Sequence, residues 1–204
     1  MEKYLYLTER AWVAAWVSGG RVPLRCASAY LADERVGTTT PDETRIEQTN
    51  LPPEVYRNVH GRLVGLPDRF QHVAIIGCSV DGKPLPDFMG SSYREDGAVL
   101  CLSNAASRSL MTRLGKAACV RIRDVEELKA SLDAQVGACS LAGSCRYTSE
   151  HFRDHFMKSD QDAWQEEFRM IWPGVGDCTV EIAAGTAEEV RFGQEFAFVG
   201  LRWA

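Results

Sequence analysis

Trp164-Gln165-Glu166-Glu167-Phe168-Arg169-Met170-Ile171-Trp172 decides how this chain is read. Polar and apolar residues alternate along it, and in a strand the side-chain period is two. A strand here puts Gln165, Glu167 and Arg169 on one face. It puts Phe168, Met170 and Trp172 on the other, where they suit a core. A run of polar residues on one face of an apolar-backed strand suggests that this face lines a cleft.

Outward from that segment, Lys3–Thr8 alternates in the same way. Tyr4, Tyr6 and Thr8 share one face, and Leu5 and Leu7 share the other. Thr8 is placed to cap a helix from about Glu9 to Ser18, with Trp12 and Trp16 one turn apart on its buried side. Gly19-Gly20 ends it, and a short strand follows over Val22–Cys26. Residues 28–70 read as irregular: they hold Gly37, the Thr38-Thr39-Thr40 run, Pro41, Pro52, Pro53 and Pro67. So long a loop is often functional and suits the rim of a site.

Further along, strands are expected at Val73–Val80, Ala98–Ser103 and Ala118–Ile122, with Asp81-Gly82 as a hairpin turn. Helices are expected at Ser107–Leu114 and, capped by Asp124, from there to about Val136. Cys145–Tyr147 reads as a strand, and Ser149 through Lys158 as a helix. Cys178–Ala183 and Glu195–Trp203 read as closing strands around a helical turn at Ala187–Val190. Roughly eight strands with four or five helices and no βαβ alternation predict an α+β fold with a largely antiparallel pair of sheets, as a single domain over residues 1–204.

Composition narrows the function classes. The chain is 45% apolar and 25% charged, ordinary for a soluble globular protein. No run nears the ~20 apolar residues that span a bilayer, and the N-terminus lacks a signal-peptide layout, so no membrane contact and a cytoplasmic location are expected. A net charge of −5 argues against a general phosphate-binding surface. The seven cysteines are scattered with no Cys-x-x-Cys pair, which disfavours a zinc ribbon or a disulfide framework.

Three elements combine into a candidate site: the first strand with Tyr4, Tyr6 and Thr8, the strand ending in Ser103, and the strand carrying Gln165-x-Glu167. This order resembles the ADP-ribosyltransferase superfamily. It is closest to a group of uncharacterised bacterial proteins of toxin or phage-defence type, through Cys101-Leu102-Ser103, Leu110-Met111, Lys158 and Gln165-Glu166-Glu167-Phe168-Arg169. The resemblance implies two sheets that clamp NAD, as substrate, in a cleft between them, with flanking helices. Glu167 would be the catalytic glutamate, bonded to the ribose hydroxyl next to the reacting carbon. Gln165 would orient the acceptor, and Ser103 would support the nicotinamide ribose or position Glu167. Tyr6 or Tyr4, with Thr8, would stand where the first strand contacts NAD. Many members carry Arg or His in that strand, and this chain has neither. ADP-ribose would pass to a macromolecule, protein or nucleic acid, and an antitoxin or regulatory partner would suit that setting.

Rival readings attach to the same residues. A non-catalytic binding module would keep the fold, and the missing first-strand Arg or His favours it. A glycosidase-like enzyme would pair Glu167 with Glu166 or Asp162. His151 and His155, four apart on the expected helix, could face one metal, but no third ligand accompanies them and no metal site is expected. Cys139 and Cys145 could offer a reactive thiol, although nothing local would depress its pKa. Arg108, Arg113, Arg121 and Arg123 could form a basic stripe, with a solvated face as the default.

Overall fold

The computed structural model describes residues 1–34, 36, 38–52 and 69–193. The closing strand expected over Glu195–Trp203 lies outside the described residues, as do Gly37, Pro53 and Pro67.

The largest sheet carries the site. Its order is β10 (Leu141–Ser144), β13 (Glu167–Pro173), β8 (Gly97–Ser103), β1 (Lys3–Leu7), β9 (Ala118–Ile122) and β15 (Ala187–Glu189). β2 (Gly20–Cys26) also pairs with β8 and holds β14 (Cys178–Ile182) on its far side. Every ladder in this sheet is antiparallel. A second sheet has the order β3 (Arg45–Thr49), β7 (Phe88–Arg94), β4 (Phe70–Ile75). A hairpin joins β5 (Ser79–Val80) to β6 (Lys83–Pro84), and a short parallel pair joins β11 (Arg146–Thr148) to β12 (Met157–Ser159). With α1 (Trp12–Val17), α2 (Arg108–Arg113) and α3 (Val125–Val136), the class is α+β with mostly antiparallel strands. Among the described residues, no helix is long and apolar enough to cross a membrane.

β8 is the spine. β13 runs beside it from Gly97↔Pro173 to Ser103↔Glu167. The other edge of β8 is shared: β2 pairs at Ala98 and Val99, and β1 pairs at Ser103. The two neighbours diverge between those points. The β2–β8 ladder is only two pairs long, Arg25↔Val99 and Cys26↔Ala98, and Pro23 lies just beyond it. Proline has no N–H to offer a ladder; Pro23 is paired on its other side with Thr179 of β14.

Apolar alternation builds the core on one face. Phe168, Met170 and Trp172 of β13 meet Leu100 and Leu102 of β8, Leu5 and Leu7 of β1, and Val125, Leu128 and Leu132 of α3. Asp124 caps α3, accepting from the amides of Glu126 and Glu127, and Gly137 closes it in the left-handed region at φ 75°. Trp172 is fully buried, and its indole N–H donates to Asp133 Oδ1 at 2.8 Å. Trp16 is buried in the same core at 3% exposure, whereas Trp12 is 36% exposed and stands at the rim of the split.

Several sequence expectations need correction. α1 begins at Trp12, and no side chain caps it; the Thr8 hydroxyl instead accepts from Lys116. The strand expected at Val73–Val80 is two pieces, β4 and β5, although Asp81 (φ 50°) and Gly82 (φ 75°) do make the hairpin turn. The irregular stretch 28–70 contains β3, which pairs with β7, a strand the sequence reading passed over. Ser149–Lys158 is not a helix. Glu47 and Arg153 exchange both backbone hydrogen bonds at 2.8 and 2.9 Å, and Arg153 Nε reaches Asp42 at 2.7 Å, so tertiary partners override the helical spacing. Ala187–Val190 is no helical turn, because Glu188 pairs across the sheet with Arg121.

Gly90 sits at φ 146°, and a Cβ there would meet Gln48 O at 2.1 Å. Gly90→Ala is therefore expected to destabilise the protein by about 1–3 kcal/mol, from overpacking plus backbone strain. A urea titration that finds no shift in midpoint would contradict this placement of β3 against β7.

Candidate functional site

The split between β1 and β2 opens into a cavity of about 250 Å³. It is lined by β8, whose last residue is Ser103, and by Tyr6, Thr8, Gln165 and Glu167. Five of the six residues singled out in the sequence thus converge. Tyr4 does not line the cavity; it packs beside Tyr6 against Leu110 and Cys119. Arg25, Tyr30, Thr38, Glu43, Cys101, Lys116, Lys158 and Arg169 complete the polar lining.

Register explains the convergence. Paired residues share a face, so Tyr4, Ser103 and Glu167 stand on one face of β1, β8 and β13, with Cys101 and Arg169 one pair further along. Gln165 arrives by another route. It ends a 3₁₀ helix, Asp160–Gln165, and Glu166 then turns the chain through the left-handed region at φ 45° before β13 starts at Glu167. Strand parity did not apply to Gln165, yet the turn brings it to the same cavity.

Four charges lie at the base. Glu43, Lys158, Glu167 and Arg169 are exposed by 4, 6, 5 and 5%. Lys158 Nζ donates to Glu167 Oε2 at 2.9 Å and to Gln165 Oε1 at 3.1 Å. Arg169 Nε donates to Glu167 Oε1 at 2.8 Å. Arg169 Nη1 stands 2.8 Å from Glu43 Oε1, an ion-pair contact rather than an aligned hydrogen bond. Lys158 is 3.9 Å from Glu43 Oε2. Two carboxylates and two cations balance, which is what allows ions to remain charged out of water. Burial opposes ionisation of Glu167, but the Arg169 guanidinium and the Lys158 ammonium overcome it and hold the carboxyl far below its usual range. Lys158 is likewise desolvated, and Glu167 and Glu43 hold its pKa above the usual value.

The backbone of Glu167 is pinned as firmly as its side chain. Its amide donates to Tyr147 Oη at 2.8 Å. The Ser103 hydroxyl lies 3.3 Å from Gln165 O and 3.4 Å from Glu166 O, and the Asn104 amide donates to Glu166 O at 2.8 Å. Ser103 therefore ties the end of β8 to the turn before Glu167, while the N-cap of α2 falls to Ser107. Tyr6 faces the site with its ring, but its hydroxyl is committed to the loop before α2. It donates to Ala105 O and accepts from Ser107 N, both at 2.8 Å. Burial raises its pKa to about 12.

Other candidates separate from the site. His151 bonds Thr49 O at 2.8 Å and His155 bonds Glu95 at 2.7 Å, so the two rings serve different partners. Among the described residues, no group of three metal-ligating side chains assembles. Cys145 is buried and its thiol is pushed up to about 12, which suppresses the thiolate a nucleophile needs. The arginine stripe is dispersed: Arg121 and Arg123 pair with Glu188, and Arg113 stacks 3.9 Å over the Trp164 ring.

Sequence reasoning missed Tyr147 and Lys116 as parts of this region, and reached Glu43 only as part of the loop expected to rim a site. Glu43 lay in the loop read as irregular, and neither Tyr147 nor Lys116 belongs to a pattern that marks it. Arg25 lines the cavity at the point where β2 leaves β8, paired with Asp177 at 2.7 Å. No family model, curated protein or solved structure matches the chain.

Proposed function

We propose that this cavity binds the nicotinamide–ribose end of NAD and that the protein is a cytoplasmic ADP-ribosyltransferase acting on a macromolecular acceptor, protein or nucleic acid. The observation that carries the reading is a buried glutamate, Glu167, held between Lys158 and Arg169 at 2.9 and 2.8 Å in a cleft between diverging strands. Breaking the glycosidic bond of NAD builds positive charge on the ribose, and a pre-positioned carboxylate stabilises that charge. Nicotinamide leaves as a neutral molecule and needs no proton donor. A glutamate held in its ionised form suits that chemistry and does not suit the general-acid role of a glycosidase.

Each Glu167 oxygen accepts one hydrogen bond from a cation. A carboxylate has about four acceptor sites, so each oxygen keeps one for a ribose hydroxyl. Lys158 and Arg169 act as positioning residues that fix the rotamer. In the same reading Ser103 positions Glu167 through the backbone, Gln165 orients the acceptor, and Tyr6 and Thr8 line the ribose wall. A toxin or phage-defence setting follows from the family resemblance alone.

One observation favours a second reading, a binding module without turnover. The four-charge cluster is neutral as a whole, which weakens the field that Glu167 presents to a developing cation. Incubation with NAD and cell lysate separates the two. Nicotinamide release that requires Glu167 is the expected result. NAD binding with no release favours the module, and neither binding nor release overturns the proposal.

A further inference from the structure

Five cations or carboxylates around the cavity have obvious partners. Glu43, Glu167, Lys158 and Arg169 satisfy one another, and Arg25 is held by Asp177. Lys116 differs. It lines the same cavity from the link between α2 and β9, and no carboxylate among the described residues forms an ion pair with it. Its ammonium donates to the neutral hydroxyl of Thr8 at 2.9 Å, at the end of β1.

The backbone around Lys116 is fixed. Its amide donates to Met111 O at 3.0 Å, and the next amide, of Ala117, donates to Leu7 O at 2.9 Å. The ammonium is thus delivered to the cavity wall rather than swinging freely on a loop. Lys116 is half-buried, and desolvation lowers its pKa. A partly desolvated cation beside a neutral hydroxyl is an incomplete arrangement, and an anion in the cavity would complete it.

We propose that Lys116 and Thr8 form an anion subsite of this cavity and take a phosphate of a nucleotide ligand. This deepens the NAD reading above, because the reacting ribose of a dinucleotide is joined directly to a pyrophosphate. A cleft with Glu167 at its floor and an ammonium on its wall selects phosphorylated ribosides over free ones.

The test reads Lys116 directly. The intact protein is treated at neutral pH with a limiting amount of an amine-acylating reagent, and modification of Lys116 is followed by peptide mass spectrometry. ADP-ribose and inorganic pyrophosphate are each expected to slow modification about tenfold, the scale of one charge-assisted hydrogen bond. Nicotinamide riboside is expected to protect far less. Binding is measured in parallel: Lys116→Met should weaken nicotinamide mononucleotide about tenfold while leaving nicotinamide riboside unchanged, and Lys116→Arg should restore most of the loss. If no phosphate compound protects Lys116, or if Lys116→Met weakens both ligands equally, the subsite is wrong whatever Glu167 does. If pyrophosphate protects Lys116 and NAD yields no nicotinamide, the subsite stands and the transferase reading falls.

Discussion

Glu167→Gln is expected to reduce nicotinamide release from NAD by about 10²–10³-fold, the usual cost of removing one electrostatic contact from a preorganised site. The loss should fall on kcat, with KM nearly unchanged. The carboxylate matters most when the ribose carries positive charge, and that charge is absent in the ground state. The substitution keeps shape and hydrogen-bonding capacity at Oε1 but removes the charge. It also leaves Lys158 and Arg169 short of one counter-ion, so circular dichroism and a thermal melt must accompany the kinetics. If this variant folds poorly, Glu167→Asp provides the check. It keeps the charge but withdraws it by one methylene from partners at 2.8 and 2.9 Å. Unimpaired release by a folded Glu167→Gln protein would remove Glu167 from the chemistry altogether.

Arg169→Met is expected to destabilise the protein by about 3–5 kcal/mol, because it strands buried charge rather than merely deleting a contact. Arg169 approaches both carboxylates at 2.8 Å, Glu167 through Nε and Glu43 through Nη1, whereas Lys158 is 2.9 Å from Glu167 and 3.9 Å from Glu43. Without it, Lys158 faces two buried carboxylates alone. Adding Glu167→Gln to Arg169→Met should recover part of the loss, since one carboxylate and one cation then leave together. Urea midpoints of the two singles and the double close that cycle, and simple additivity would contradict the coupling.

The same cluster predicts acid sensitivity. The Glu167 carboxyl is held below its usual 4.5 in the folded state, so the stabilisation it contributes is complete above that value. It is lost progressively as pH falls below 4.5 towards the depressed folded value. The Glu167→Gln protein should lose less stability than the parent across that acid window, and parallel curves would argue against an ionised Glu167.

The alternation of Phe168, Met170 and Trp172, the Asp124 cap and the Asp81-Gly82 turn were legible because each depends on residues a few positions apart. Local periodicity and side-chain chemistry suffice for such elements. The expected helix from Ser149 failed because its backbone finds better partners in β3, more than a hundred residues earlier. β15 was misread for a similar reason, since its strand character comes from pairing with β9.

From the sequence alone came the antiparallel α+β class, the apolar face of β13 and five of the side chains at the cleft: Glu167, Gln165, Ser103, Tyr6 and Thr8. Tertiary structure alone decided that β2 and β1 share one edge of β8 and part between Val99 and Ser103, that Tyr4 lies outside the cavity, and that Glu43 and Lys116 join it. The division has a physical cause. Side-chain parity is a property of one strand, whereas a cavity and its charge balance exist only where separate strands and loops meet.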